Sequence, residues 1–352
     1  MQEDIWMRGT CIDMCPFRER RMREQQHRLH PLEMVAGTEK NKRPKADPKA
    51  TIKEYSRPAA GKAEASPADL RPAEVLLTTV EYLVNRILTR PDWPFVKLYN
   101  FVFDRLRSVR QDMVIQRLTG KDALQILQWI TKFHIYAGYR LCTEAPSSYD
   151  SKINADHAQE CIKRLLVFYR TCEDLEHPCR PEFESLYLLY NLGSFEAARH
   201  TVNLPKHIQC QPCVQLAIAI CRAFWEGNFI RLWRLASQCT YIQSCALHRH
   251  VIDIRWRALC ILNTAYSSKN LTFPIPVLTR WLMFDSEADT IEFCHTCGLD
   301  AGPSGVKFVK GCLQNGLPKI HASHSVSLVD NKLEEEGISS VSDVIMGFTL
   351  DR

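Results

Sequence analysis

Apolar positions recur along this chain with a helical period, most clearly between residues 98 and 112. In that stretch, LYNFVFDRLRSVRQD, Val102, Leu106 and Val109, followed by Met113, recur at steps of four, three and four. That spacing lines one face of an α-helix. Asp104, Arg107 and Gln111 form a neighbouring stripe, with Asp104 and Arg107 at the i,i+3 spacing of an ion pair. Two readings are open on periodicity alone. The charges are solvated on a half-exposed helix, or they are held against neighbouring elements, where they must be well paired.

From residue 72 to about 267 the same period predicts helix after helix, over 75–88, 95–118, 123–141, 155–172, 183–192, 194–202, 214–225, 229–236 and 247–266. Gly193, Pro205, Pro212 and Gly227 mark short connections, so antiparallel neighbours stacked as an α-solenoid are expected. Leu186, Leu189, Tyr190 and Phe195 are expected between neighbouring helices. The texture then changes. Residues 271–275 suit a strand, but Pro274 restricts it to an edge. A short helix over 277–284 follows. Ser286 is a candidate N-cap for a second helix to Cys297, with Gly298 as its stop. Strands are expected at 306–309, 320–323 and 327–329. Strand, helix, helix, strand, strand is the order of a winged helix, and the acidic tail 331–352 is expected to be mobile.

The N-terminal pattern is different. Residues 8–30 begin with a turn containing Pro16 and run into a charged helix with few apolar positions beyond Met22 and Leu29. Such a helix lies on a surface or docks to a partner. Residues 36–72 hold Gly37, Pro44, Pro48, Pro58, Gly61, Pro67 and Pro72 among Lys, Ala and Ser. That composition predicts an extended linker without a packed core, with Tyr55 anchoring it. The expected domains are an N-terminal motif and charged helix (1–35), a linker (36–72), a helical stack (73–268), a winged helix (269–330) and a tail (331–352).

Composition sharpens this picture at three points. Residues 1–62 contain 14 Lys/Arg and 9 Asp/Glu and so carry all of the net charge of +5, which suits an acidic partner, protein or nucleic acid. No apolar run is long enough to span a membrane and no secretory signal opens the chain, so an intracellular protein without membrane insertion is expected. The 15 cysteines are scattered, with Cys161, Cys221 and Cys260 in apolar helical runs, where they read as small core residues.

Candidate chemistry is sparse. No Cys/His signature of a nucleophilic enzyme and no GxxxxGK[ST] phosphate loop occurs, so neither catalysis nor a cofactor is expected. Cys294, Cys297 and Cys312 with His321 or His324 form a formally possible zinc set. Cys294 and Cys297, however, fall on a predicted helix as core positions. Cys11 and Cys15 lack a second ligand pair, and Cys210 and Cys213 have no obvious partners, so no metal is expected.

Three motifs supply what composition does not. Gly9-Thr10-Cys11 precedes Asp13-Met14-Cys15-Pro16 and Glu19-Arg20. Phe101-Val102, Asp104-Arg105, Arg107 and Val109-Arg110-Gln111-Asp112 follow, then Leu189-Tyr190-Asn191-Leu192-Gly193. In this order they resemble the Sac-three/GANP family of messenger-RNA-export scaffold proteins, and residues 54–62 look most like its small animal branch. The resemblance implies a PCI-type module, a helical stack ending in a winged helix, without enzymatic activity. It implies pairing with a second PCI-type protein and a small acidic subunit, and composite surfaces of which some bind RNA or DNA. For the small branch it implies work in centrosome duplication, spindle assembly and mitotic progression. The alternative is a nuclear messenger-RNA export adaptor coupled to transcription.

The resemblance also decides between the two readings of the first helix. Asp104, Arg105, Arg107, Arg110 and Asp112 are expected to form a polar lattice that clamps adjoining helices and the N-terminal arm. Arg280, Lys307, Lys310 and Lys319 are candidate phosphate contacts, joined by Arg18, Arg20, Arg21 and Arg23. Trp281, Met283 and Phe284 are candidate partner anchors, core packing being the competing role.

Overall fold

A computed structural model describes residues 7–57, 65–171, 177–313 and 316–347. Pro58 and Gly61 of the expected linker, residue 172 and the last five residues of the expected tail lie outside these. In chain order the elements are α1 (Phe17–Gln25), α2 (Ala73–Tyr82), α3 (Phe95–Ile115), α4 (Lys121–Arg140), α5 (Ser151–Thr171), α6 (Arg180–Tyr190), α7 (Phe195–Val202), α8 (Lys206–Gln209), α9 (Pro212–Trp225), α10 (Phe229–Ala236), α11 (Tyr241–His248), α12 (Val251–Ala265), α13 (Ile275–Trp281), α14 (Glu287–Thr296), β1 (Asp300–Gly302), β2 (Gly305–Lys307), α15 (Asn331–Glu335) and α16 (Val341–Met346). The fold is mostly α-helical, as expected. It divides into two compact units, Met1–Ile130 with Ser340–Arg352, and Thr131–Ser339.

In the first unit α3 buries the predicted stripe of Val102, Leu106, Val109 and Met113. Pro94 precedes the helix, where its missing N–H leaves no helical bond unmade. α2 packs on α3 and continues into a wider π-helical turn over Leu83–Ile87. The segment expected as a linker is extended yet packed: Ile52, Leu70 and Arg71 are fully buried. Among its described residues the prolines and lysines lie mostly toward the surface, Lys53 excepted. The expected mobile tail is likewise ordered at its described residues. Ser340 caps α16, which packs on the Leu83–Ile87 turn and buries Ile345.

In the second unit α6 is buried at every position from Phe183 to Tyr190. A helix apolar nearly all round must be covered on all sides, and α5, α7, α8, α9 and α11 pack against it. Gly193 follows with a positive φ, and a Cβ there would lie 2.7 Å from the Phe224 ring. The turn therefore needs glycine on both counts. Phe195 departs from expectation: it is 76% exposed, because α7 turns its Ala197 face inward. The helix expected over 247–266 is two helices broken at Arg249–His250. The preceding α11 opens on a capping box of Thr240 and Gln243, a T-x-x-Q signal present in the sequence.

The C-terminal part of this unit holds its own apolar cluster, built around Phe273, Leu278, Leu282, Phe293, Cys294, Cys297, Val306 and Phe308. Ser286 caps α14 by accepting from Asp289 N, and Gly298 follows with φ 92°, both as expected. β1 and β2 form an antiparallel hairpin joined by Pro303 and Ser304, with Ala301 opposite Val306. Phe273 bonds Val306 in both directions, at 2.7 and 2.8 Å. The expected edge strand shrinks to this bridge because Pro274 cannot donate. A Cβ at Gly305 would lie 2.4 Å from Thr272 Cγ2, so the hairpin approaches the bridge only with glycine there. The strands expected at 320–323 and 327–329 are not formed. Residues Val326–Asp330 are a π-helical turn instead. Asp285 accepts from Val326 N and Ser327 N, both at 2.8 Å, a tertiary cap that overrides the β-propensity of Val326 and Val329.

Candidate functional site

The charged side chains of α3 meet the N-terminal segments in one buried lattice inside the first unit. Its centre is Glu33, whose side chain is fully buried. Arg105 donates to it from Nη2 at 3.0 and 3.1 Å and from Nε at 3.3 Å. Arg23, also fully buried, pairs with Glu33 and donates to Ile52 O at 2.9 Å. Ile52 N returns a bond to Glu33 Oε1 at 3.0 Å. Two guanidiniums thus flank one carboxylate, and the 51–54 segment lies against them. Glu54 adds a second carboxylate, 3.2 Å from Arg23 Nε and 2.8 Å from Arg28 Nη2. The Arg105 guanidinium also lies 4.6 Å from the centre of the Phe101 ring, a cation–π contact available because the pair is shielded from water.

A second knot forms around Asp112, one turn before the end of α3. Lys53 Nζ donates to Asp112 Oδ1 at 2.6 Å and Arg71 Nε to Oδ2 at 2.8 Å. Arg71 also donates to Ser108 Oγ at 2.8 Å and Met14 O at 3.2 Å. Gln116, on the turn after Asp112, accepts from Gly9 N at 2.7 Å and donates to Arg71 O at 2.8 Å. Around them Thr10 N and Cys11 N bond Pro67 O and Leu70 O at 2.8 and 3.0 Å. A Cβ at Gly9 would lie 2.3 Å from Leu70 O; the close backbone approach explains the glycine of the first motif.

Between the two knots, Asp104, Arg107 and Gln111 hold the extended segment at Tyr55 and Ser56. Tyr55 N donates to Asp104 Oδ2 at 3.3 Å and Gln111 Nε2 donates to Ser56 O at 2.8 Å. The Arg107 guanidinium sits 3.8 Å from the Tyr55 ring centre. The stripe read from the sequence as a local Asp104–Arg107 pair thus grips the arm, and Tyr55 is its anchor. Arg110 is half-buried on the same helix.

The first motif feeds the same lattice. α1 starts directly after Pro16. Glu19 accepts from Glu54 N at 2.8 Å, and burial raises its carboxyl against that bond. Arg20 pairs with Asp13 at 3.2 Å. Cys15 is fully buried and Cys11 nearly so, and burial pushes both thiols up. Cys11 Sγ donates to Asp13 O at 3.2 Å. Glu33, Glu54, Lys53 and Arg71 were not singled out by sequence reasoning. They lie in segments without a period, and only a buried charge lacking a local partner could have hinted at them.

The C-terminal candidates separate. Arg280, Lys307, Lys310 and Lys319 are exposed, and Lys307 lies 3.6 Å from Asp300 across the hairpin, which reduces its charge toward a phosphate. Trp281 packs on Phe273 and Tyr266 at 5.4 and 6.4 Å between ring centres. Phe284 packs on Phe293 at 5.3 Å, with Arg255 3.7 Å from its ring centre. Both belong to the apolar cluster rather than to an open anchor. Arg255 Nε donates to Leu282 O at 3.0 Å, and burial lowers its guanidinium to about 10. Burial pushes the Cys294 and Cys297 thiols up to about 12, whereas Cys312 is exposed. Among the described residues no three metal-ligating side chains converge.

Relatives agree with the motifs. A model of the SAC3/GANP family matches residues 14–302, from within the first motif to the end of β1. SAC3 family protein 1 of Schizosaccharomyces pombe is 30% identical over 380 residues, covering 100% of this chain and 36% of its own length. Protein xmas of Drosophila melanogaster is 27% identical over 96% of this chain and 16% of its own length. SAC3 family protein B of Arabidopsis thaliana is 29% identical over 79% and 17%. This chain therefore spans little more than a third of the first of these relatives and less than a fifth of the other two. With the first two motifs organising the first unit, the third closing α6 in the second, and the match running across both, the chain belongs to the SAC3/GANP family.

Proposed function

We propose that the chain is a non-catalytic protein-interaction scaffold that acts in centrosome duplication, spindle assembly and mitotic progression. The scaffold reading is carried by the lattice. Its carboxylates and guanidiniums are buried against one another and against backbone groups, so they order an N-terminal arm instead of meeting a substrate. The mitotic assignment rests on the likeness of residues 54–62 to the small animal branch. We read the unit from Phe273 to Phe308 as a winged helix, in support of which stand its bridge, two helices and hairpin. Its proposed partners are a second PCI-type protein and a small acidic chain, met at the centrosome, the spindle and in the cytoplasm, with a nuclear pool.

A second reading, an export adaptor that touches RNA or DNA, is favoured by the exposed cations Arg280, Lys310 and Lys319. Proximity labelling through the cell cycle separates the two. Pericentriolar neighbours in mitosis support the first; nuclear-pore and transcription neighbours support the second. Recovery from cell extract solely as a lone monomer would overturn the scaffold reading itself.

A further inference from the structure

Helices α5 and α7 face one another across a cavity of about 470 Å³ whose floor includes Tyr187 of α6. Lys163, Leu166, Val167 and Arg170 line it from α5, at the i, i+3, i+4 and i+7 positions of one helix face. Glu196, Arg199 and His200 of α7 and Asn203 at its C-cap line it at the same spacing. Three of these are permanent cations and one is a carboxylate. Lys163 and Glu196 meet across the mouth at 3.2 Å, both well exposed, so the bridge is worth little and is readily exchanged for a ligand. His200 is fixed from below. Its Nε2 lies 2.6 Å from Glu184, a fully buried carboxylate that also accepts from Arg180 Nε at 3.3 Å.

Beside the face that lines the cavity, α7 is apolar where a surface helix would ordinarily be polar. Phe195 is 76% exposed and Val202 74%. With Arg199 between them they form one stripe at i, i+4 and i+7 on α7. On the opposite wall Val167 is also exposed, above the buried Leu166. Exposed aliphatic and aromatic side chains bordering cations are what an acidic, amphipathic peptide segment covers. The cavity holds one or two side chains. A nucleic-acid strand would instead need a longer cationic track and would meet the Glu196 carboxylate at the rim.

We infer that the α5–α7 groove is a docking site for an acidic peptide segment of a partner protein, its apolar side chain entering between Leu166 and Tyr187 and its carboxylates meeting Arg170 and Arg199. The site lies on α5 to α7, outside the Phe273–Phe308 region read above as a winged helix, and is tested separately from the scaffold reading.

Fluorescence anisotropy on the purified full chain tests it. The probe is a labelled twelve-residue peptide alternating glutamate with leucine and phenylalanine. Matched peptides carry glutamine for glutamate or serine for the apolar residues, and a labelled twelve-nucleotide single-stranded RNA is run beside them. Saturable binding of the first probe that weakens with salt is expected. Arg170→Glu with Arg199→Glu should weaken it at least about tenfold, a shift of roughly 1.4 kcal/mol. Phe195→Ser should weaken it severalfold, and Arg280→Glu should leave it unchanged, all with unaltered circular dichroism. Absence of binding up to about 1 mM peptide, or undiminished affinity in the double variant, overturns the inference. So does RNA binding tighter than the peptide and lost in the same variant. Partner co-purification, which decides the scaffold reading, is unaffected by any of these results.

Discussion

Removing the Asp112 carboxylate should destabilise the first unit far more than removing Asp104, although both lie on the same helix. Asp112 is fully buried and holds two cations, Lys53 at 2.6 Å and the fully buried Arg71 at 2.8 Å. Asp112→Ala leaves Arg71 in the interior with only Met14 O and Ser108 Oγ to satisfy it. Breaking one side of such a pair costs about 3–5 kcal/mol, chiefly because the remaining charge is stranded. Asp104 is 36% exposed; it pairs with Arg105, which Glu33 also holds, and its bond to Tyr55 N is 3.3 Å long. Water can replace it, so Asp104→Ala should cost about 0.5–1.5 kcal/mol. Of the two carboxylates in the expected lattice, Asp112 therefore carries the larger share of the stability.

Thermal denaturation followed by tryptophan fluorescence measures both, with limited proteolysis of the N-terminal arm as a local readout. For a unit of this size about 2–4 °C accompanies each kcal/mol, so Asp112→Ala should lower the first transition by about 10 °C. It should also open the arm to protease. A double-mutant cycle between Asp112→Asn and Arg71→Met isolates their coupling. A loss below about 1 kcal/mol for Asp112→Ala, or coupling within error of zero, would refute the view that these charges hold the arm.

Three further outcomes follow from the second unit. Gly193→Ala must adopt φ 84° and meet the Phe224 ring at 2.7 Å, and should cost about 1–3 kcal/mol by thermal denaturation. His248 is buried, with its Nε2 2.8 Å from Ser323 O. Burial lowers its imidazole from 6.5 to about 4 against that bond. The unfolded chain therefore binds the extra proton first. Stability is complete above about pH 6.5 and is lost as the pH falls toward 4, at most a few kcal/mol in all. His248→Gln should flatten that acid slope in pH-dependent denaturation, and an unchanged slope would exclude His248 as its source. Lys332 is buried and donates to Ser237 O at 3.0 Å, just beyond the end of α10. Lys332→Met should raise hydrogen exchange over 326–335, where an effect confined to other segments would refute the latch.

What could be read from the sequence divides along the distance over which each signal acts. The stripe on α3, the Ser286 cap and the Gly298 stop are local: each depends on residues within a few positions, and each stands in the structure. Asp104 stands out because a helix period isolates charges from the apolar face, and Arg105 and Asp112 join it through the resemblance of the central motif. Their partners do not stand out, because Glu33, Lys53 and Arg71 reach α3 from segments with no period, 41 to 72 residues away in sequence. The same blindness made residues 36–72 read as a linker. Proline and lysine counts report what faces water, while Ile52, Leu70 and Arg71 decide that the segment is packed. The strand expected at 327–329 failed for a related reason, since the β-propensity of Val329 and the preceding Val326 is overruled by Asp285, some forty residues earlier. Buried charge therefore carries information that hydrophobic periodicity cannot. A desolvated arginine or carboxylate with no local partner requires a distant one, and in this chain that requirement, more than any apolar pattern, makes the N-terminal arm part of the fold.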